Sequence, residues 1–119
     1  MVLIIDDDTR NTFALGSYLK TIDMIIETAE NGKEAIEKLE QGLKPDVILL
    51  DMMMPVLDGY ETLAALKQNG LLQTTPVIAT TAKAMKGDKE KCTNAGAWDY
   101  VSKPIDLKLL IDKMNQWVV

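Results

Sequence analysis

Four consecutive apolar residues, Val47-Ile48-Leu49-Leu50, run straight into a single carboxylate, Asp51. A short apolar run without polar alternation suits a strand covered on both faces, as parallel sheets require. Met52-Met53-Met54-Pro55 and then Asp58-Gly59 follow, so the chain leaves this strand in a loop before its next helix. In an open parallel α/β sheet, ligands sit outside the carboxyl ends of the strands. Asp51 is therefore aimed at the side of such a fold where chemistry is done.

The rest of the chain repeats the pattern. Val2 to Ile5 reads as a buried strand ending at Asp6-Asp7-Asp8, followed by a helix over about 9–20 with Leu15, Leu19 and Ile22 on one apolar face. Met24 to Ala29 is a more mixed strand, carrying Glu27 and Thr28, which suits a sheet edge. Asn31 and Glu34 have capping-box spacing and open a helix that runs to about Gln41, burying Ile36 and Leu39. After Asp51, Asp58 and Glu61 form another capping pair before a helix with Leu63 and Leu66, which ends at Gly70. Val77 to Ala79 is a fourth strand ending in Thr80-Thr81. A helix over about 84–94 precedes Gly96. Trp98 to Val101 is a fifth strand, ending at Ser102-Lys103-Pro104. A last helix begins near Asp106, with Leu107, Leu110, Ile111, Met114 and Trp117 in helical period. Five strands alternating with five helices predict one domain over residues 1–119, a parallel sheet with helices on both faces.

Composition narrows the chemistry. The net charge of −5 and the lack of a basic stripe disfavour direct nucleic-acid binding. With no histidine and only Cys92, the chain offers neither histidine catalysis nor a cysteine metal site. No apolar run reaches membrane-spanning length, so a cytoplasmic protein without direct membrane contact is expected. The abrupt ends, at Met1-Val2 and Val118-Val119, point to a domain cut from a longer chain.

The predicted strand ends gather Asp6 and Asp7, then Asp51, Thr81 and Lys103. Three carboxylates in one crevice repel one another and call for positive charge. Lys103 supplies one; a hard divalent cation, magnesium above all, suits the oxygen ligands. A metal, an ammonium and a hydroxyl around a carboxylate make a receptor for a phosphoryl group, open to in-line attack by the carboxylate.

These motifs together resemble the response-regulator receiver domains of two-component signalling, over essentially the whole chain. The matching pieces are Asp6-Asp7 after an apolar strand, Asp51 before Met52-Met53-Met54-Pro55, Asp58-Gly59, Thr81-Ala82, Gly96-Ala97 leading to Asp99-Tyr100, and Lys103-Pro104. The stretch from Asp6 to Leu15 is similar to receivers attached to hybrid sensor histidine kinases. The resemblance implies a flavodoxin-like doubly wound sheet of order 2-1-3-4-5. It implies that Asp51 is the phospho-acceptor and that magnesium is bound by Asp7, by Asp6 mainly through water, by Asp51 and by the Met53 carbonyl. Thr81 and Lys103 would hold the phosphoryl oxygens, and Tyr100 would be an aromatic switch following Thr81. The Lys103-Pro104 bond would be cis, and Met53, Ala82 and Lys83 would tune dephosphorylation. The donor would be a histidine kinase or phosphotransfer protein. Phosphorylation would act on an output domain or protein through the face of helix four, strand five and helix five. Such a domain is a phospho-acceptor with at most self-catalysed phosphoryl transfer, not an enzyme in the usual sense.

Two other classes compete. A pseudo-receiver would keep the fold as an interaction module without phosphorylation. An aspartate-nucleophile phosphatase would use Asp6-x-Asp8, but leaves Asp51 unexplained. Blander roles suit several residues: Asp8 as a helix cap, Tyr100 as a half-buried strand tyrosine, Cys92 as a plain helix residue. Met52 to Met54, Trp98 and Trp117 read as packing.

Overall fold

A computed structural model of the chain describes residues 1–52, 59–70, 75–81, 88–102 and 106–117. Five parallel strands, β1 (Val2–Ile5), β2 (Ile26–Ala29), β3 (Val47–Asp51), β4 (Val77–Thr81) and β5 (Asp99–Ser102), form one sheet of order β2-β1-β3-β4-β5. Between and after them run α1 (Thr9–Lys20), α2 (Gly32–Glu40), α3 (Gly59–Gln68), α4 (Asp88–Asn94) and α5 (Leu107–Trp117). This is the flavodoxin-like doubly wound arrangement. The chain steps outward from β1 to β2, then crosses back past β1 to β3, so the order reverses between β1 and β3. Such a reversal opens a crevice at the carboxyl ends of the two strands.

The central strands are buried on both faces because their residues alternate between two cores. Leu3, Ile5, Ile48, Leu50, Val77 and Ala79 pack with Leu63, Leu66 and Cys92 of α3 and α4. Val2, Ile4, Val47, Leu49 and Ile78 pack with Leu15 and Leu19 of α1 and Leu110 and Met114 of α5. Fully burying one such side chain is worth about 1.5–3 kcal/mol, so the two apolar layers fix which helix lies on which face.

The helix starts follow local chemistry. Asp8 caps α1, accepting from the Arg10 N–H at 3.0 Å. Asn31 caps α2, accepting from the Glu34 N–H at 2.8 Å, while Glu34 reaches back to the Glu30 N–H at 3.1 Å. The capping box is thus present, with its return bond one residue earlier than the simplest form. Asp106 Oδ1 accepts from the N–H groups of Lys108 and Leu109 at the start of α5. At the edge, Lys38 of α2 donates to Glu27 at 3.0 Å and to the Thr28 carbonyl. That explains the mixed composition of β2.

Some boundaries differ from the sequence expectation. β2 begins at Ile26, not Met24, and β5 at Asp99, not Trp98. Ile22 is 39% exposed, because α1 stops at Lys20 and Ile22 lies in the turn beyond it. The deepest contacts of α2 come from Gly32 and Ala35, with Ile36 and Leu39 half-buried. Asp58, residues 84–87 and the Lys103-Pro104 bond lie outside the described residues.

Candidate functional site at the carboxyl ends of the strands

Parallel register brings the acids together. Ile5 pairs with Leu50, so Asp6 and Asp51, the next residues of adjacent strands, reach the same rim. Asp6 and Asp51 are buried, at 7% and 3% exposure, and Asp7 is exposed. Carboxylate oxygens of all three lie within 4.8 Å of one another. All three donors are carboxylate oxygens, the ligand type magnesium prefers, so the set suits a magnesium ion that keeps some of its waters.

Asp8 takes no part in that cluster. Its backbone N–H donates to Asp6 Oδ1 at 2.9 Å, orienting Asp6, while its own side chain turns to α1. The Arg10 N–H, helped by the Arg10 guanidinium, holds the Asp8 carboxyl below its ordinary pKa. The Asp6-x-Asp8 pairing of a phosphatase is therefore not formed.

Beside the acids lies the end of β4. Asp51 pairs in register with Thr80, and the Met52 N–H donates to the Thr80 carbonyl at 2.9 Å. Thr80 Oγ1 lies 3.4 Å from the Leu50 carbonyl. Thr81, 5% exposed, ends the strand opposite Ser102 of β5. Tyr100 is half-buried one strand further out, pairing in register with Ala79 and packing on the α3–α4 core. The structure thus brings Asp6, Asp7, Asp51 and Thr81 to one rim. Met53 and Lys103, also expected there, lie outside the described residues, as do Ala82 and Lys83.

One contact was not foreseen. The Gly59 N–H, first in α3, donates to the Met52 carbonyl at 3.3 Å, and the two residues are in close contact. The Asp58-Gly59 pair was the only sequence signal, and it reads first as a turn.

A parallel doubly wound sheet with an acidic crevice at its switch point places the chain among the open α/β domains that bind ligands in such a crevice. Comparison with known proteins makes the assignment specific. The family model "Response regulator receiver domain" matches residues 2–115. The signal transduction histidine-protein kinase BarA of Escherichia coli K12 is 39% identical over 105 residues. That match covers 88% of this chain and 11% of BarA, so the chain spans a small part of that relative. Among solved structures, the receiver domain of sensor histidine kinase PA1611 from Pseudomonas aeruginosa PAO1 superimposes with a TM-score of 0.88 at 30% identity, covering 98% of this chain and 95% of that one. It holds a magnesium ion coordinated in its active site cleft. The Saccharomyces cerevisiae Ssk1 receiver domain, co-crystallised with the histidine phosphotransfer protein Ypd1, has a TM-score of 0.88 at 32% identity, covering 98% and 87% of the two chains. The chain belongs to the response regulator receiver domain family, and is a receiver of two-component phosphorelay signalling.

Proposed function

We propose that this domain is a phosphorylation switch whose acceptor is Asp51. The observation that carries the reading is the meeting of buried Asp51 with Asp6 and Asp7, oxygens within 4.8 Å, at the end of β3. A histidine kinase or phosphotransfer protein is the donor, in keeping with the Ssk1–Ypd1 complex. An Asp51 oxygen forms a bond to phosphorus as the phosphorus–nitrogen bond of the donor histidine breaks. The imidazole nitrogen keeps that electron pair and takes up a proton. Asp7, Asp6 and Asp51, with the Met53 carbonyl, would hold magnesium, which when bound offsets the charge of the carboxylates and of the incoming phosphoryl oxygens. Thr81 and Lys103 orient those oxygens, so the domain contributes positioning and charge neutralisation to the transfer. In this reading the protein is a self-phosphorylating acceptor rather than a turnover enzyme, and works in the cytoplasm or on the cytoplasmic side of a larger kinase. Tyr100 couples Thr81 to the face of α4, β5 and α5, where an output partner reads the state. A preference of a few kcal/mol between two states suffices for that.

The test is intact mass after incubation with acetyl phosphate. Wild type should gain one phosphoryl group with magnesium and none without, and Asp51→Asn should gain none. A phosphoryl group on Asp51→Asn would remove Asp51 as acceptor. A wild type that binds magnesium yet takes no phosphoryl group from acetyl phosphate or from a phosphorylated phosphotransfer protein would make this an unphosphorylated interaction module.

A further inference from the structure

We infer that Gly59 is a positioning residue for the acidic site, acting through Met52. This rests on the reading of Asp6, Asp7 and Asp51 as a magnesium site. Met52 directly follows Asp51 and is held from two sides. Its N–H donates to the Thr80 carbonyl at 2.9 Å, and its carbonyl accepts from the Gly59 N–H at 3.3 Å. The side chain is 3% exposed and belongs to the α3–α4 core. The backbone that presents Asp51 is thus clamped between β4 and the first residue of α3.

Glycine is required here for space. Among the described residues, the glycines with positive φ are Gly42, Gly70 and Gly96, and Gly59 is not among them. A Cβ on Gly59 would stand 2.5 Å from Met52 Cα, 2.6 Å from its Sδ and 3.0 Å from its Cε. The thioether can swing aside, since methionine is flexible. The Cα cannot move unless the Asp51–Met52 backbone moves with it. The alternative is for α3 to retreat. Leu63 and Leu66, both fully buried, anchor that helix in the core, and drawing them out would open voids. The displacement therefore falls on the residue next to Asp51. A shift of even part of an ångström spoils an oxygen cluster whose members must all face one ion.

The probe is magnesium itself, titrated calorimetrically into wild type, Gly59→Ala and Leu66→Val. The last is a packing control on the same helix. Gly59→Ala should weaken magnesium binding about tenfold, as supporting residues of metal sites do, while Leu66→Val stays within about twofold of wild type. Binding by Gly59→Ala within about twofold of wild type, or an equal loss in Leu66→Val, overturns the inference. Wild type that binds no magnesium overturns the site reading and the inference with it. If Gly59→Ala does not fold, the wild type decides by nuclear magnetic resonance. The Met52 and Gly59 amide signals should move with that of Asp51 on one magnesium binding curve, and stationary Met52 and Gly59 signals would sink the idea.

Discussion

Two acidic regions, one half-buried and one largely buried, sit at opposite ends of this sheet and are built in different ways. At the amino end of β5, the Asp99 side chain, 10% exposed, lies 2.7 Å from the Lys113 ammonium of α5 and accepts the Tyr100 N–H at 2.8 Å. Here the fold supplies a positive partner at contact distance, and the pair fastens β5 to α5. At the carboxyl ends of β1 and β3, the fold gathers like charges. It brings three carboxylates within 4.8 Å, two of them buried. Whatever else each acid touches, their mutual repulsion works against folding. A carboxylate set against an ammonium needs nothing further from outside. Carboxylates set against one another make an arrangement that a cation stabilises, and that is the mark of a binding site rather than a strut.

Breaking the first region should have the larger effect on stability. Lys113→Met leaves Asp99 partly buried beside an apolar side chain. It should cost about 1–3 kcal/mol, less than for a fully dry pair because Lys113 is 22% exposed. Urea unfolding would show it, and a loss near zero would demote the pair to a surface contact. In the second region the sign should invert. Asp7→Asn removes one of three like charges at an exposed position, and should stabilise the metal-free protein by about 0.5–1 kcal/mol. With saturating magnesium the order should reverse, wild type becoming the more stable, by mass action on the native state. A variant less stable than wild type without metal would mean that Asp7 makes a structural contact. Asp8 sharpens the contrast from next door, with the smallest effect. Its carboxyl pKa is lowered in the native state by the Arg10 N–H, so its contribution is present above the unfolded value of 3.8 and is lost as pH falls through the lower native value. Asp8→Ala should therefore lower the melting temperature at neutral pH, and the gap to wild type should close in acid. A gap that persists at low pH would assign the effect to something other than the charged cap.

How far these regions could be read from the sequence differs for physical reasons. The rim was legible because Asp6, Asp51 and Thr81 each end a short apolar run, and parallel strands deliver their carboxyl ends to one side. The strand order came from the resemblance, since alternating elements specify a doubly wound sheet without ordering its strands. Helix starts were legible at Asp8, Asn31 and Asp106, whose side chains cap by local hydrogen bonds. Ile22 misled because its spacing continues the apolar face of α1, while the helix stops at Lys20. The Asp99–Lys113 pair and the Gly59–Met52 contact were illegible, because each depends on how two elements lie together in space.

The switch-point topology also bears on the order of events when the chain folds. α1, β2 and α2 intervene between Asp6 and Asp51, which meet only once β1 lies beside β3. No local fragment contains the acidic cluster, and the pairing that completes it is non-local, the kind of contact whose loop-closure entropy slows folding. A cation held there would report on the finished sheet alone. It would act as a latch on the native state, slowing the rate at which the domain comes apart and leaving the rate at which it assembles largely untouched.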